Sequence, residues 1–325
     1  QISNVGNLLL TNQEAFDGVL YGALLPFGLL KSSLGGDLLA LLLLAAISII
    51  PFLLLVWLFS SRYKQVLSAL ASRIVRNDYR LGTLSARSQF SALFSREVKR
   101  YFGTSIYLFN TGFGAVLLLA GAIYAVFMYK KVQPYLQLMG GMQTVIPIAA
   151  VVLGFIVATI NTTCVSISLE GKTFWIIKEA PIQPEAYFGA KVLLNLLISW
   201  PATLVSCLIL GIAYRPEVWT VVSLVAALLA LGLLIALAGL WINLFFPKMD
   251  APNDTVVVKQ SASAFIGVFG GWVPLGLACL GYIPAGKIMN FEVYALICTA
   301  VFLVGAAGLW LWLKNSGIRR LSSIC

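Results

Sequence analysis

The stretch EVWTVVSLVAALLALGLLIALAGLWINLFF, residues 217–246, contains no charged residue after Glu217. As one α-helix it would be about 45 Å long. That length exceeds the roughly 30 Å hydrocarbon core of a bilayer. A helix that is apolar on every side needs lipid or other helices around it. The stretch therefore predicts a transmembrane helix.

Six further apolar runs have a comparable length. The predicted spans are 38–60, 108–129, 142–165, 189–213, 217–246, 262–283 and 291–313. Composition agrees, because 60% of the 325 residues are hydrophobic, 10% are charged and the mean hydropathy is +0.94. Soluble domains carry about 25% charged residues. We expect an all-α polytopic membrane protein with about seven transmembrane helices, preceded by interfacial or re-entrant helices in residues 1–36.

The distribution of Lys and Arg predicts the orientation, since basic loops stay cytoplasmic. If the first span ends inside, 17 of the 22 Lys and Arg residues lie on the inner side. Those inner segments are 61–107, 166–191, 247–261 and 314–325. The chain is thus expected to be a multi-pass protein with a cytoplasmic C-terminus. The net charge of +10 is attributed to contact with lipid headgroups and not to nucleic acid.

Catalytic, metal-binding and cofactor-binding groups are not evident in the sequence. The chain has no His and five Cys residues, none of them in a CxxC pair. The run from Glu170 to Thr173 ends like a phosphate-binding loop, but Ser166 stands where that motif requires its first Gly. We therefore expect no enzyme active site and no cofactor in this chain.

An amphipathic helix is predicted at 88–104, before the last six spans. Its apolar residues recur at helical spacing: Phe90, Leu93, Phe94, Val98, Tyr101 and Phe102. Arg96, Glu97, Lys99 and Arg100 lie largely off that stripe. Such a helix can lie in the cytoplasmic headgroup layer. Packing against a soluble domain is the alternative, but no segment is long enough to form one.

The order of these elements suggests three regions. Residues 88–325 form a six-span unit that begins with the amphipathic helix at 88–104, and residues 61–87 form a cytoplasmic linker. Residues 1–60 are interpreted as the end of a preceding transmembrane unit, because the aromatic-rich end of its span resembles 309–314. On this interpretation the native polypeptide or complex holds further spans upstream.

The inner loop 166–188 contains an apolar group, Phe174 to Ile177, with charged residues on both sides. Pro181 and Pro184 limit any helix there. A short helix with aromatic side chains and charged edges suits docking into a groove of a partner. Anchoring of Trp175 in lipid headgroups explains the composition equally well. Both interpretations stay open at this point.

Several motifs resemble those of ABC-2-type ABC-transporter permeases. The run SALFSREVKRYF at 91–102 is similar to the entry helix of that family, called the elbow helix. SLEGK at 168–172, with Trp175, Lys178, Pro181 and Lys191, resembles its first cytoplasmic loop. FPK at 246–248, with Asn253 and VKQ at 258–260, resembles the second loop. The resemblance covers about 88–320, and residues 1–60 look like the end of the first half of a double-length version.

The resemblance implies a permease subunit of an ABC exporter in a bacterial plasma membrane. ATP and Mg²⁺ would be bound by a separate ATP-binding subunit, present as two copies or a dimer. Further implied partners are a second permease half, or an upstream half of the same chain, and membrane lipids. The coupling residues would be Glu170, Gly171, Lys172, Phe174, Trp175, Lys178 and Pro181. Phe174 and Trp175 are expected to be anchors, and Glu170 and Lys172 rim charges.

The alternative is a secondary transporter or channel driven by an ion gradient. Such proteins keep ionisable residues inside the membrane for the coupling ion. The middles of all seven runs lack Asp, Glu, Lys, Arg and His, which argues against proton coupling. Sodium sites made of backbone carbonyls are left open by this argument.

The topology prediction is tested by single-cysteine labelling of intact cells. Cysteines placed at Val75 or Arg320 should escape a membrane-impermeant maleimide, whereas one placed at Lys287 should react. Labelling of position 75 or 320 from outside would overturn the orientation.

Overall fold

In the computed structural model, the structure describes residues 25–71, 88–138 and 141–324. Helices and no strands occur in these ranges. Seven helices are long and apolar enough to cross a membrane. The expected all-α polytopic membrane protein is therefore confirmed. The chain divides into two compact units, Gln1–Ser85 and Ala86–Cys325.

The first unit contains helix α1, Leu25–Leu34, and helix α2, Leu38–Ala71. The apolar part of α2 is only 6% buried within the structure. Because it is apolar on all sides, it requires lipid or other helices as neighbours. The predicted linker 61–87 begins as a continuation of α2, and residues 72–87 lie outside the described residues, as do 1–24 of the expected interfacial region.

The second unit contains the other six candidate spans and the short helices between them. Its helices are α3 Gln89–Gly103, α4 Ser105–Phe127, α5 Tyr129–Leu138, α6 Met142–Thr159, α7 Thr163–Ser166, a 3-10 helix Ser168–Thr173, α8 Phe174–Glu179, α9 Pro184–Tyr214, α10 Val218–Phe245, α11 Asp254–Gln260, α12 Ala262–Ala285, α13 Phe291–Trp312, a π-helical turn Leu313–Gly317 and α14 Ile318–Ser322. The predicted elbow helix corresponds to α3, which Ser88 caps.

Helix α10 is the central helix of this unit. It packs against α13, α9, α12, α7 and α6, and 44% of its most apolar section is buried. Small residues at its contacts, including Ala236 and Gly239, allow neighbouring backbones to come close. In a membrane this close packing replaces the hydrophobic effect as the source of association.

The segments between the spans lie on two faces. The elbow face contains α3, the stretch from α7 to α8, α11 and α14, which pack on one another and on the nearby ends of the spans. The far face contains α5 and the connections 215–217 and 286–290. On that face Tyr129 contacts Tyr214, and Thr220 donates a hydrogen bond to Glu292.

Five of the six predicted spans in this unit end within a few residues of the observed helices. The predicted span at 142–165 lies within the candidate span Met142–Glu179, but the helix there is interrupted. Helix α6 ends at Thr159, Ile160 has φ −84° and ψ 78°, and a helix resumes only at Thr163. Asn161, Thr162 and Thr163 offer hydrogen bonds that compete with those of a helix. The mean hydropathy of a run does not depend on this competition between side-chain and helical hydrogen bonds.

Gly239 of α10 faces this break and has no room for a side chain. A Cβ atom there would lie 2.3 Å from both Asn161 Oδ1 and Thr163 Oγ1. We expect Gly239→Ala to reduce stability by about 1–3 kcal/mol, the usual range for overpacking. Gly276→Ala in α12, where no atom lies within 4 Å of the added carbon, should cost nothing. Thermal unfolding in detergent measures both variants, and equal midpoints would contradict the close packing.

Candidate functional site

The break between α6 and α7 is held by side chains from neighbouring spans. Asn195 Oδ1 accepts hydrogen bonds from the backbone N–H of Thr162 at 2.7 Å and from its hydroxyl at 2.9 Å. Tyr107 donates to the carbonyl of Thr162 at 2.9 Å. The Thr163 hydroxyl donates to the carbonyl of Ala236 at 2.6 Å. Because no water reaches such groups in a bilayer, these bonds make the break possible.

A second asparagine fixes the chain just after the break. Asn243 Oδ1 accepts from the N–H groups of Ile167 at 2.8 Å and Ser168 at 3.1 Å. Its amide nitrogen donates to the hydroxyls of Ser168 and Ser263. Ser168 Oγ also accepts from the N–H of Lys248 at 2.9 Å. Asn243 and Ser168 thus join α10, α12, the 3-10 helix and the segment after α10.

A buried lysine connects the elbow helix to this region. Lys191 Nζ lies 2.8 Å from Glu97 Oε1 and 2.9 Å from Glu170 Oε1. It donates a further hydrogen bond to the carbonyl of Ser166 at 3.1 Å, and it lies over the ring of Tyr187 at 4.8 Å. The ammonium therefore bridges α3, the 3-10 helix and α9.

Two arginines complete what we call the elbow cluster: Arg96, Glu97, Arg100, Glu170 and Lys191. Arg100 pairs with Glu170 at 3.0 Å and with Glu97 at 3.5 Å. Arg96 also pairs with Glu170, so that three cations surround one carboxylate whose side chain is fully buried. Removing one partner of a buried pair is costly because the remaining charge has no solvent. The cluster therefore fixes which elements meet on the elbow face.

The elbow helix and the loop after α8 are also joined at a second place. Gln89 Nε2 donates to the carbonyl of Pro181 at 2.6 Å, and Gln89 Oε1 accepts from the N–H of Gln183 at 3.2 Å. The side-chain amide of Gln89 thus makes two hydrogen bonds to the backbone of residues 181–183. Together with the elbow cluster, this contact holds α3 and residues 168–183 as one assembly.

The apolar stripe of the elbow helix packs mainly on the protein itself. Leu93, Phe94 and Val98 are half-buried against the two hydrophobic clusters of the elbow face, Tyr101 is buried, and Phe90 and Phe102 are 39% and 66% exposed. Most of the stripe therefore packs on the bundle, and only Phe90 and Phe102 are left for the headgroup contact predicted for this face. Glu97, expected away from the stripe, is 3% exposed, because the elbow cluster draws it inward.

The predicted coupling segment has an inner side and an outer side. Phe174 and Ile177 are buried against the bundle, whereas Trp175 is 63% exposed and Ile176 46% exposed. Trp175 thus faces outward as an anchor requires, and Phe174 does not. The expectation of an exposed Phe174 anchor is wrong because adjacent helix positions point about 100° apart.

The charges and small residues of the segment are divided in the same way. Lys172, Lys178 and Pro181 are exposed, although Lys178 Nζ also donates to the carbonyl of Ile324. Glu170 is 2% exposed, so its predicted role as a rim charge is wrong. Gly171, with φ 47°, turns the chain from the buried Glu170 to the exposed Lys172, in a conformation that favours glycine.

No match to this chain is found among protein-family models, curated proteins or solved structures. Within the described ranges, no group of three or more His, Cys, Asp or Glu residues could hold a metal ion. The described cysteines form no disulfide.

Sequence reasoning missed the buried polar residues of the site. Asn195 and Asn243 are uncharged polar residues inside long apolar runs, and such residues often join helices in a membrane. Lys191 is expected at the end of the predicted span 189–213, but the helix begins at Pro184 and the side chain is buried. A search for isolated polar side chains within the spans would have found all three.

The elbow cluster predicts a stability effect at Glu170. Glu170→Gln keeps the shape but leaves Arg96, Arg100 and Lys191 with one carboxylate, and we expect a loss of about 3–5 kcal/mol. Glu179→Gln, at an exposed position of α8, is the matched control and should change stability little. Thermal unfolding of the purified variants measures the difference. Equal stability of the two variants would show that Glu170 is a surface charge after all.

Proposed function

We propose that this chain is a transmembrane permease subunit of an ABC exporter, and that residues 168–182 dock a separate ATP-binding subunit. The observation that carries the proposal is the division of this segment into a buried and an exposed side. Its buried side is fixed to two spans, to α9 by Glu170 and to α10 by Asn243, and its exposed side presents Trp175. Resemblance of the motifs at 91–102 and 168–172 to ABC-2-type permeases supports the same proposal.

Rigid attachment is what force transmission requires. ATP hydrolysis takes place on the partner, so movement of the partner reaches the spans only through a projection that does not yield. Ion pairs from Glu170 to α3 and α9, and the hydrogen bonds of Ser168 to α10 and the segment after it, give the projection several attachments. A single attachment would let the segment swing without moving the spans.

The exposed side also indicates the chemistry of the partner's groove. Trp175 and Ile176 form its apolar centre, and Lys172 lies exposed nearby. A large aromatic side chain that is buried on binding contributes about 2 kcal/mol or more, which is about thirtyfold in affinity. We therefore propose an apolar groove with an acidic edge. Exposed lysine at the rim would set orientation and association rate more than affinity.

An ion-gradient-driven transporter remains the second candidate because α6 is broken within its candidate span. Broken helices in such transporters supply carbonyl oxygens to a cation. In this break, however, Asn195 Oδ1 already accepts two hydrogen bonds, the carbonyl of Thr162 accepts one, and Asn161 Oδ1 accepts from the N–H of Cys164. Oxygens that are occupied by donors favour a structural role over cation binding.

The docking proposal is tested by Trp175→Ala in the full chain. Pull-down of the Walker-motif ATPase that co-purifies with the wild-type protein should fall by about tenfold, as expected for one anchor. Trp219→Ala is the matched control, because Trp219 is 74% exposed on the far face, and it should leave pull-down unchanged. Membrane insertion is checked separately for both variants.

Three results would contradict the proposal. If no ATPase co-purifies with the wild-type chain, the proposed partner subunit does not bind it. Unchanged pull-down and ATPase stimulation in Trp175→Ala would favour the lipid-anchor interpretation of this side chain. Transport that persists without ATP and follows a sodium or proton gradient would favour the second candidate.

A further inference from the structure

The half of the second unit next to the far face contains a cavity of about 360 Å³. It lies between α4, α6, α9 and α10. Leu118, Leu153 and Cys207 form its inner wall and are buried, whereas Leu117 and Val152 at its edge are 41% and 53% exposed. The cavity is therefore closed toward the bundle and open to the side between α4 and α6. Its volume falls within the usual range for ligand pockets, roughly 300–1,000 Å³.

The lining determines what this cavity can hold. It is formed by aliphatic side chains and glycines, and no charged side chain contributes among the described residues. The hydroxyl of Tyr214, also in the lining, already donates to the carbonyl of Ala125 at 2.9 Å. Water needs two or more polar partners to occupy a cavity and finds few here. Hydrocarbon gains dispersion contacts along such a surface, and the opening between α4 and α6 leads to where the bilayer would be.

The mouth of the cavity differs from its wall. Tyr129 and Tyr214 meet there edge to face, with ring centroids 5.0 Å apart, and tyrosine is enriched at membrane–water interfaces. Lys130 and Lys131 follow Tyr129 and are exposed, and the next residue, Val132, lines the cavity. On the other side, exposed Arg215 follows Tyr214. These three cations exceed the two acidic residues described on this face, Glu217 and Glu292.

We propose that this cavity binds one acyl chain of an anionic phospholipid from the leaflet next to the far face. The acyl chain occupies the space between α4 and α6, and the phosphate lies at Lys130, Lys131 and Arg215. The apolar wall and the lateral opening match the acyl chain, and the cationic mouth matches the phosphate. The site is separate from the elbow face, and the proposal does not depend on the identity of the transported substrate.

The experiment is native mass spectrometry of the full purified chain. The protein is delipidated and then exposed to equal amounts of phosphatidylglycerol and phosphatidylcholine with the same acyl chains. We expect one phosphatidylglycerol molecule to be retained after the detergent is removed in the gas phase. Absence of a retained phospholipid, or retention of phosphatidylcholine to the same extent, would overturn the proposal.

Occupancy of the cavity itself is tested at Gly121. Gly121 lines the cavity, and no atom lies within 4 Å of an added Cβ, so Gly121→Leu would fill part of the space. Retention of the phospholipid should fall about tenfold. Gly276→Leu, at a glycine of α12 that is equally free of neighbours, should retain it. Gly121→Val replaces the leucine variant if that variant is not monodisperse, and retention equal to the Gly276 variant would overturn the proposal.

The head-group assignment is tested by the double variant Lys130→Gln and Lys131→Gln. Preference for phosphatidylglycerol should fall severalfold while phosphatidylcholine is still bound. Lys287→Gln, on the same face but in the 286–290 connection, should keep the preference. An unchanged preference in the double variant would contradict the assignment of the phosphate to these lysines.

Discussion

A carboxylate that is buried away from water requires cations beside it, and the elbow face depends on one such carboxylate. Glu170 is surrounded by Lys191 of α9 and by Arg96 and Arg100 of the elbow helix. Desolvation makes any arrangement that leaves this charge unpaired very unfavourable. These ion pairs therefore fix how the elbow helix, the 3-10 helix and α9 pack together. The position and direction of the segment that carries Trp175 follow from the way these three helices pack together.

The broken span serves the same purpose from within the bundle. A continuous helix from Met142 would carry Glu170 and Trp175 away from the bundle along its own axis. Because the helix breaks at Ile160, α7 packs against α10, and Glu170 reaches Lys191 of α9. Asn195 and Asn243 accept hydrogen bonds from backbone N–H groups near this break. Polar groups in the spans thus shape the elbow face.

Much of the fold could be predicted from the sequence, because span length and hydropathy are local properties. Six of the seven predicted runs correspond to continuous helices, and the helix at 88–104 is observed as Gln89–Gly103. The break at Ile160 could not be predicted in this way, since its partners lie 33 to 106 residues away along the chain. Hydropathy averages over a window and gives three polar residues within an apolar run little weight.

The sequence does not determine which side chains of the candidate site are buried. The motif at 168–172 indicated the segment, yet its composition does not say which side of a short helix is buried. Glu170 and Phe174 face inward and Trp175 outward because Lys191 and the core of the elbow face occupy one side. Lys191 itself lies in α9, which begins at Pro184 and so starts earlier than the predicted span 189–213. Burial depends on these neighbours, and a single sequence does not name them.

The elbow cluster and Gln89 hold the elbow helix and residues 168–183 together as one rigid body. The most direct test measures the distance between spin labels at Lys99 and Lys172, two exposed positions on these elements, in a chain without its native cysteines. A rigid body gives one narrow distance distribution that is the same in the free chain, with the proposed ATP-binding subunit, and with that subunit and ATP. A distribution that broadens or shifts by several ångströms on binding the subunit or ATP would contradict it.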